Sequence, residues 1–281
     1  MFYDFNIPFH NNNDAVEERR IEKILQRIDT IDPNSMIAFN LLLEDNLTAV
    51  KPIKPIALDK LKKMKQLTRA TLIVEDPKRN YQLASSTAYP QIDILAVRPT
   101  NIDICKHACQ TLEVDLISLD LAKTRVLPSF VSAQVAVNRG LFFEICYSQS
   151  FRDPHKKFMF YSNVRRLVEV TRGHNLIFSS EATRALEIRR PADLRILGSM
   201  FGMTHDQIEA TVTANYPRLL KKAETRKLTY NATISLGQLP QDPLQENKKS
   251  EFMLKRKERD ADNKQQYKKA GKKAKKQKQK P

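Results

Sequence analysis

Short apolar runs alternate with helical patterns seven times along this chain, and that alternation leaves few folds open to it. Tyr3-Asp4-Phe5-Asn6-Ile7 reads as a first strand, and Ala15 to Asp29 follows with helical spacing at Val16, Ile21, Ile24, Leu25 and Ile28. Met36 to Leu42 reads as strand two, Leu58 to Leu67 as a helix, Thr71 to Glu75 as strand three, and Ile92 to Val97 as strand four, stopped by Pro99. Ile102 to Leu112 is helical, Leu116 to Leu121 is strand five, and Val131 to Asn138 is a short helix. Leu141 to Ser148 is strand six, Phe158 to Val170 a helix and Leu176 to Ser180 strand seven, with helices over Pro191 to Phe201 and His205 to Thr213. Such a series implies parallel strands joined by right-handed crossovers, and a run this long closes most naturally into a TIM-like (β/α) barrel. An open doubly wound sheet is the alternative, but its glycine-rich first turn is missing: the chain has six glycines, and none forms a phosphate-cradling loop.

Residues 1–244 are assigned to the barrel. From Gln245 to Pro281 the composition turns to Lys, Gln and Glu, too polar to offset the entropy of ordering, so a disordered tail is expected there. That tail holds 15 Lys/Arg against 5 Asp/Glu, a net +10 of the whole chain's +16, which leaves the body at +6. No apolar run nears the roughly 18 residues of a membrane span, and Met1 to Asn13 lacks the pattern of a secretory signal. Without a signal, the acceptor motif at Asn231 carries no weight. Three cysteines then point to reduced thiols in a cytosolic or nuclear setting. Cys105 and Cys109, four apart on a helix, are read as buried thiols, since no second pair completes a metal site.

Barrel function sits at the C-terminal ends of the strands. In strand six, alternation turns Phe143, Ile145 and Tyr147 toward the helices and leaves Glu144, Cys146 and Ser148 inward. The same reading places Asp4, Asn6, Asn40, Glu75, Arg98, Asp120, Ser179 and Glu181 inside or at the rim. Three uses compete for this polar mouth. A metal-dependent phosphoesterase would need clustered ligands, yet His10 and His155 alone follow strands and neither has a His-x-His partner. A metal-free enzyme would work with the carboxylates and Arg98. A satisfied polar network would serve structure alone. Ser179-Ser180 stands where many barrels bind phosphate, or simply starts a helix.

Cations cluster at Arg184, Arg189 and Arg190 after strand seven, and at Lys221, Lys222, Arg226 and Lys227 at the end of the body. Density of this kind fits RNA phosphates, or a solvated helix face paired with Glu187 and Glu224. Lys272, Lys273, Lys275 and Lys276 read as a nuclear-localisation or nucleic-acid patch. If about eight tail cations met single-stranded phosphates, log affinity would fall with log salt at a slope of about −6, blind to sequence. The aromatics fall mostly on apolar faces, so no base-stacking platform is expected.

Several segments together resemble one family. They are Met1-Phe2-Tyr3-Asp4-Phe5-Asn6-Ile7-Pro8, Asp93 to Pro99, His107 to Asp115, Asn138 to Ser148, Leu176 to Ala182 with Ala185 to Arg189, and Ala223 to Lys227. In order and spacing they are similar to the barrel subunit shared by nuclear ribonuclease P and ribonuclease MRP, which also has archaeal relatives. The resemblance implies a barrel related to metal-dependent phosphoesterases of the polymerase-and-histidinol-phosphatase (PHP) type. In those relatives an Asp-Leu-His-x-His run opens the chain, and here Asn6 and Pro8 replace the two histidines, so no metal or other cofactor is expected on this chain. It further implies cleavage by the RNA, with Mg2+ on that RNA, and a small Pop-family protein as heterodimer partner docked on one apolar barrel face. The particles would remove the 5′ leader of precursor tRNA and process precursor ribosomal RNA in the nucleus and nucleolus. The expected RNA contacts are Arg98, the seven body cations and the four tail lysines. A stand-alone phosphoesterase and a ribosome-biogenesis scaffold held by the tail are the alternatives.

Overall fold

The computed structural model describes residues 1–10, 15–44, 63–76, 91–123 and 126–228. The Lys-rich segment 245–281, with its expected disorder and its four candidate lysines, lies outside the described residues, as does Asn231. Seven strands are described: β1 (Tyr3–Pro8), β2 (Met36–Leu43), β3 (Lys65–Val74), β4 (Ile94–Pro99), β5 (Leu116–Ser118), β6 (Phe142–Cys146) and β7 (Leu176–Ser179). They form one sheet in chain order, and every pairing is parallel. The helices are α1 (Ala15–Ile31), α2 (Ile102–Gln110), α3 (Phe130–Asn138), α4 (Gln149–Arg152), α5 (Lys157–Thr171), α6 (Pro191–Met200), α7 (His205–Glu209) and α8 (Asn215–Leu228). At the seam between the last strand and the first, the Ser180 N–H donates to Asp4 Oδ1 at 3.0 Å. The architecture is the TIM-like α/β barrel that the alternation implies. Among the described residues, no helix is long and apolar enough to cross a membrane.

Local chemistry explains the elements. On α1, Ile21, Ile24, Leu25 and Ile28 form one apolar stripe and pack on Phe2, just before β1, and on Ile7, Ile37 and Phe39 of the sheet. Asn101 and Ser129 cap α2 and α3 by accepting the N–H groups of Ile104 and Ser132. Cys105 and Cys109 are buried on α2 within the main layer between sheet and helices.

A second, smaller core fills the barrel itself. Phe5, Ala38, Ile94, Ala96, Leu116, Phe142 and Ile177 point inward, and Tyr216 and Leu219 of α8 close them from below. Tyr216 stacks on Tyr3 with centroids 4.7 Å apart and donates its hydroxyl to the Phe178 carbonyl at 2.5 Å. Asn215 donates to the Leu176 carbonyl at 2.7 Å. At the other end of α8, Arg226 pairs with buried Asp115 at 2.9 Å and Lys227 with Asp93 at 2.6 Å. Tyr3, Leu176, Asp93 and Asp115 lie at or just before strand starts, and Tyr216 alone reaches further in, to Phe178, so α8 is the plug of the N-terminal end of the barrel. Burying one side chain the size of Leu219 contributes about 1.5–3 kcal/mol.

Some expectations are corrected. Lys65, Gln66 and Leu67, expected to end a helix, open β3 instead, and the earlier part of that expected helix lies outside the described residues. Pro99 does not stop β4 short: it is the last strand residue and pairs with Val74, where a missing N–H is tolerated. Strand five is only Leu116–Ser118. The helix expected over His205 to Thr213 is α7 followed by a π-helical turn at Ala210–Ala214, which leads directly into α8.

Candidate functional site at the barrel mouth

The centre of the mouth is an ion pair between two fully buried side chains, Arg69 of β3 and Glu144 of β6. Arg69 Nη2 donates to Glu144 Oε2 at 2.7 Å, and Nη1 donates to Glu144 Oε1 and, at 2.8 Å, to the Phe5 carbonyl. Arg69 Nε donates to Thr71 Oγ1 at 3.0 Å. The Thr71 hydroxyl donates to Asn40 Oδ1 at 2.7 Å, Asn40 donates to Asn6 Oδ1 at 2.8 Å, and Asn6 closes the circuit on Glu144 Oε2 at 3.2 Å. Asn6 also donates to Cys146 Sγ at 3.4 Å. Burial alone pushes the Glu144 carboxyl up. The Arg69 charge, its hydrogen bonds and the Ser118 and Ser179 hydroxyls outweigh burial and hold Glu144 at about 2. Glu144 is therefore a fixed carboxylate, unsuited to proton transfer near neutrality.

A second layer lies on top. Arg98 of β4 donates to Glu181 Oε1 at 2.8 Å and to Ser118 Oγ at 3.0 Å. Gln149 donates to Glu181 Oε2 at 2.8 Å, and Arg152 donates to the Glu181 carbonyl. Glu181 has φ +51°, a left-handed backbone that costs a non-glycine residue, and these contacts hold it there.

The structure thus brings together Asn6, Asn40, Arg98, Glu144, Cys146, Ser148, Ser179 and Glu181 as expected. Glu75 is exposed at the rim, one residue past the C-terminal end of β3, and stands outside this paired network. Asp120 is half-exposed and pairs with Lys123 at 3.3 Å. Ser179-Ser180 is no phosphate cradle, because both residues are buried and the Ser180 N–H is committed to Asp4. Arg69, the largest fully buried side chain, was missed. The signal that marks it is an arginine inside Leu67-Thr68-Arg69-Ala70-Thr71-Leu72, a run otherwise patterned like a strand. Among the described residues, no three His, Cys, Asp or Glu side chains converge to hold a metal ion.

Asp4 makes a testable contrast. Burial raises its carboxyl to about 6, against the hydrogen bonds from Ser180 and Asn6 that favour the charge. A raised carboxyl takes up its proton more readily folded than unfolded, so the folded state gains stability as pH falls from about 6 toward 4. Asp4→Asn keeps the acceptor oxygen and removes this gain. Calorimetry at pH 7.5 and pH 5 is expected to show the wild type rising relative to the variant by about 1–1.5 kcal/mol. Identical pH dependence in both proteins would sink the assignment.

The basic residues separate into two groups. Arg184 and Arg190 are exposed just past β7, at the mouth end. Arg189 between them lies 4.6 Å above the Phe151 ring, and its N–H donates to Tyr147 Oη at 3.3 Å. Glu187 pairs with none of the three: it accepts from the Thr183 N–H at 2.8 Å and faces Arg152 at 3.7 Å. Lys221, Lys222, Arg226 and Lys227 all sit on α8, at the opposite end. Lys221 is exposed, Lys222 donates to the Arg139 carbonyl at 3.2 Å, and Arg226 and Lys227 are held by Asp115 and Asp93.

These features define a class: a TIM-like barrel whose mouth is filled by an internally paired Arg–Glu network and whose cations lie at both ends. Residues 1–228 match the family model described as RNase P subunit p30, and the chain belongs to that family. It is 37% identical over 180 residues to the ribonuclease P protein subunit p30 of Mus musculus, covering 63% of this chain and 66% of that relative. It is 30% identical over 241 residues to the probable ribonuclease P protein subunit 3 of Schizosaccharomyces pombe, covering 84% of this chain and 99% of that one. The match to the mouse protein thus leaves about a third of that relative's length unaccounted for. A chain in a cryo-EM structure of archaeal ribonuclease P with mature tRNA has the same fold, with a TM-score of 0.56 and 13% identity over 84% of this chain and 99% of that chain.

Proposed function

We propose that this chain is a non-catalytic, RNA-bound protein subunit of ribonuclease P, which removes the 5′ leader of precursor tRNA, and of ribonuclease MRP, which processes precursor ribosomal RNA. The observation that carries this reading is the family match over residues 1–228, the whole of the described barrel. The mouth supports it. A phosphoesterase needs open groups to meet substrate or metal, whereas Asn6, Asn40, Arg69, Arg98, Glu144 and Glu181 are engaged with one another. In this reading the RNA performs the cleavage with its own Mg2+, and the chain binds no cofactor. Arg184, Arg189 and Arg190 meet RNA phosphates at the mouth end, and Lys221 with Lys222 does so at the other. Arg98, Arg226 and Lys227 serve the RNA surface only indirectly, by fixing the barrel. The tail lysines add sequence-blind attraction. A small Pop-family protein is the direct partner, and Ile196 and Met200, one turn apart on α6 and 63% and 56% exposed, offer it an apolar strip. The site of action is the nucleus and nucleolus.

Conditional depletion of the chain tests this reading. Precursor tRNAs with 5′ leaders are expected to accumulate about tenfold or more, followed by unprocessed ribosomal RNA precursors. Normal tRNA 5′ ends after full depletion would overturn the proposal.

A further inference from the structure

A groove on the outer face of α5 combines aromatic rings with one uncompensated cation, Arg165, beside the Arg166–Glu169 pair. Phe158, in the first turn of the helix, is 82% exposed, so its ring contributes almost nothing to the core. One turn on, Tyr161 is half-buried and held in place by Phe160 (centroids 5.9 Å apart, planes at 79°) and Phe201 (5.4 Å, 54°). A further turn on, Arg165 is exposed. Positions 158, 161 and 165 recur at helical spacing, so rings and guanidinium share one face. Gly202, with φ +83°, also lines the groove beside Phe201, and a Cβ there would meet nothing within 4 Å, so no side chain crowds the groove at that point. The groove encloses about 710 Å³, within the roughly 300–1,000 Å³ of small-ligand sites.

Charge decides what fits. Arg166 is paired with Glu169 at 2.7 Å and Lys156 with Asp153 at 3.2 Å. Arg165 in the groove, and Lys157 beside it at the start of α5, have no ion-pair partner among the described residues. A neutral apolar peptide segment would cover the rings and leave both cations uncompensated. An unpaired nucleotide offers a flat base to the rings and phosphates to the cations, the combination used by single-strand binding surfaces. A duplex hides its base faces and gains only the phosphate part.

We propose that this α5 groove is a stacking site for an unpaired RNA nucleotide, with Phe158 and Tyr161 against the base and Arg165 and Lys157 on the flanking phosphates. The inference rests on the reading of the chain as an RNA-bound subunit and adds to it the kind of RNA element recognised.

The test uses the full chain and a fluorescent ten-nucleotide oligouridylate, in about 0.3 M salt to screen the lysine tail. Phe158→Ala is expected to weaken binding about tenfold with the salt slope unchanged, and Phe158→Trp to retain it. Arg165→Ala should weaken binding and flatten the slope by about 0.7. Binding of a ten-base-pair RNA duplex should not respond to Phe158→Ala. Ultraviolet crosslinks of the oligouridylate should map to the peptide around Phe158 and Tyr161. Unchanged oligouridylate affinity in Phe158→Ala overturns the proposal, as does a groove protected in the assembled particle by protein with no nucleotide crosslinked to it. If that variant still recovers its structured RNAs from extract, only the groove falls. If the wild type recovers none, the broader reading falls first.

Discussion

Glu144→Ala is expected to lower the unfolding free energy by about 3–5 kcal/mol, the cost of leaving a buried charge without its partner. The guanidinium of Arg69 is fully buried and its two outer nitrogens point at the Glu144 carboxylate. Removing the carboxylate strands that charge in the barrel, and Asn6 loses its acceptor as well. Replacing both partners together, Arg69→Met with Glu144→Leu, should recover much of the loss, because apolar side chains of similar volume need no partner. The pH response has a defined sign. Glu144 titrates at about 2 in the folded chain against an ordinary 4.5. Its contribution is complete above about 4.5 and disappears as pH falls through about 2. Urea unfolding of both variants reports the energies. A single substitution costing under about 1 kcal/mol would show that the pair does not hold the mouth together.

Reversing Arg184, Arg189 and Arg190 to Glu together is expected to weaken association with the structured RNA about tenfold to a hundredfold near physiological salt, and to lower the salt slope by about 2–3. Arg184 and Arg190 project from the mouth end into solvent, so their reversal leaves the fold intact. Arg189 also covers Phe151, so Arg189→Ala with a melting curve separates lost packing from lost charge. Lys227→Glu makes a useful contrast. It breaks the pair with Asp93 and should destabilise the α8 plug, with RNA binding affected only as far as folding is. Salt titrations of the triple variant that overlay the wild type would move the RNA contact away from the mouth end.

Much of the barrel was legible because strong alternation survives in its later strands. In β6, Phe143 and Ile145 do pack toward the helices while Glu144 and Cys146 do face inward. The first strand was harder. Its pairing with β2 shifts register between Asp4 and Ile7, so Phe5 and Asn6 both turn toward the interior and Asp4 turns to the seam with β7. A period of two cannot announce such a bulge. Arg69 was lost for a different reason. β3 begins with Lys65, Gln66 and Leu67, which continue the helical pattern that starts at Leu58, and the glutamate that justifies a buried arginine lies 75 residues away. The plug was missed in the same way. Tyr216 and Leu219 sit among charged residues, and only the closed barrel shows the apolar hole they fill. The basic clusters were legible as residues, yet their separation to opposite ends of the barrel is a product of topology. The expectation that the aromatics fall mostly on apolar faces holds for Phe160, which is buried, but not for Phe158, two residues earlier, which is exposed.

Sequencing the RNA that co-purifies with the tagged chain from nuclear extract, in about 0.3 M salt to screen sequence-blind contacts of the lysine tail, tests the central claim most directly. The account predicts enrichment of one or two small structured RNAs, with cleavage of precursor tRNA leaders in the same eluate. A broad spread of ribosomal RNA, or no RNA at all, would contradict it.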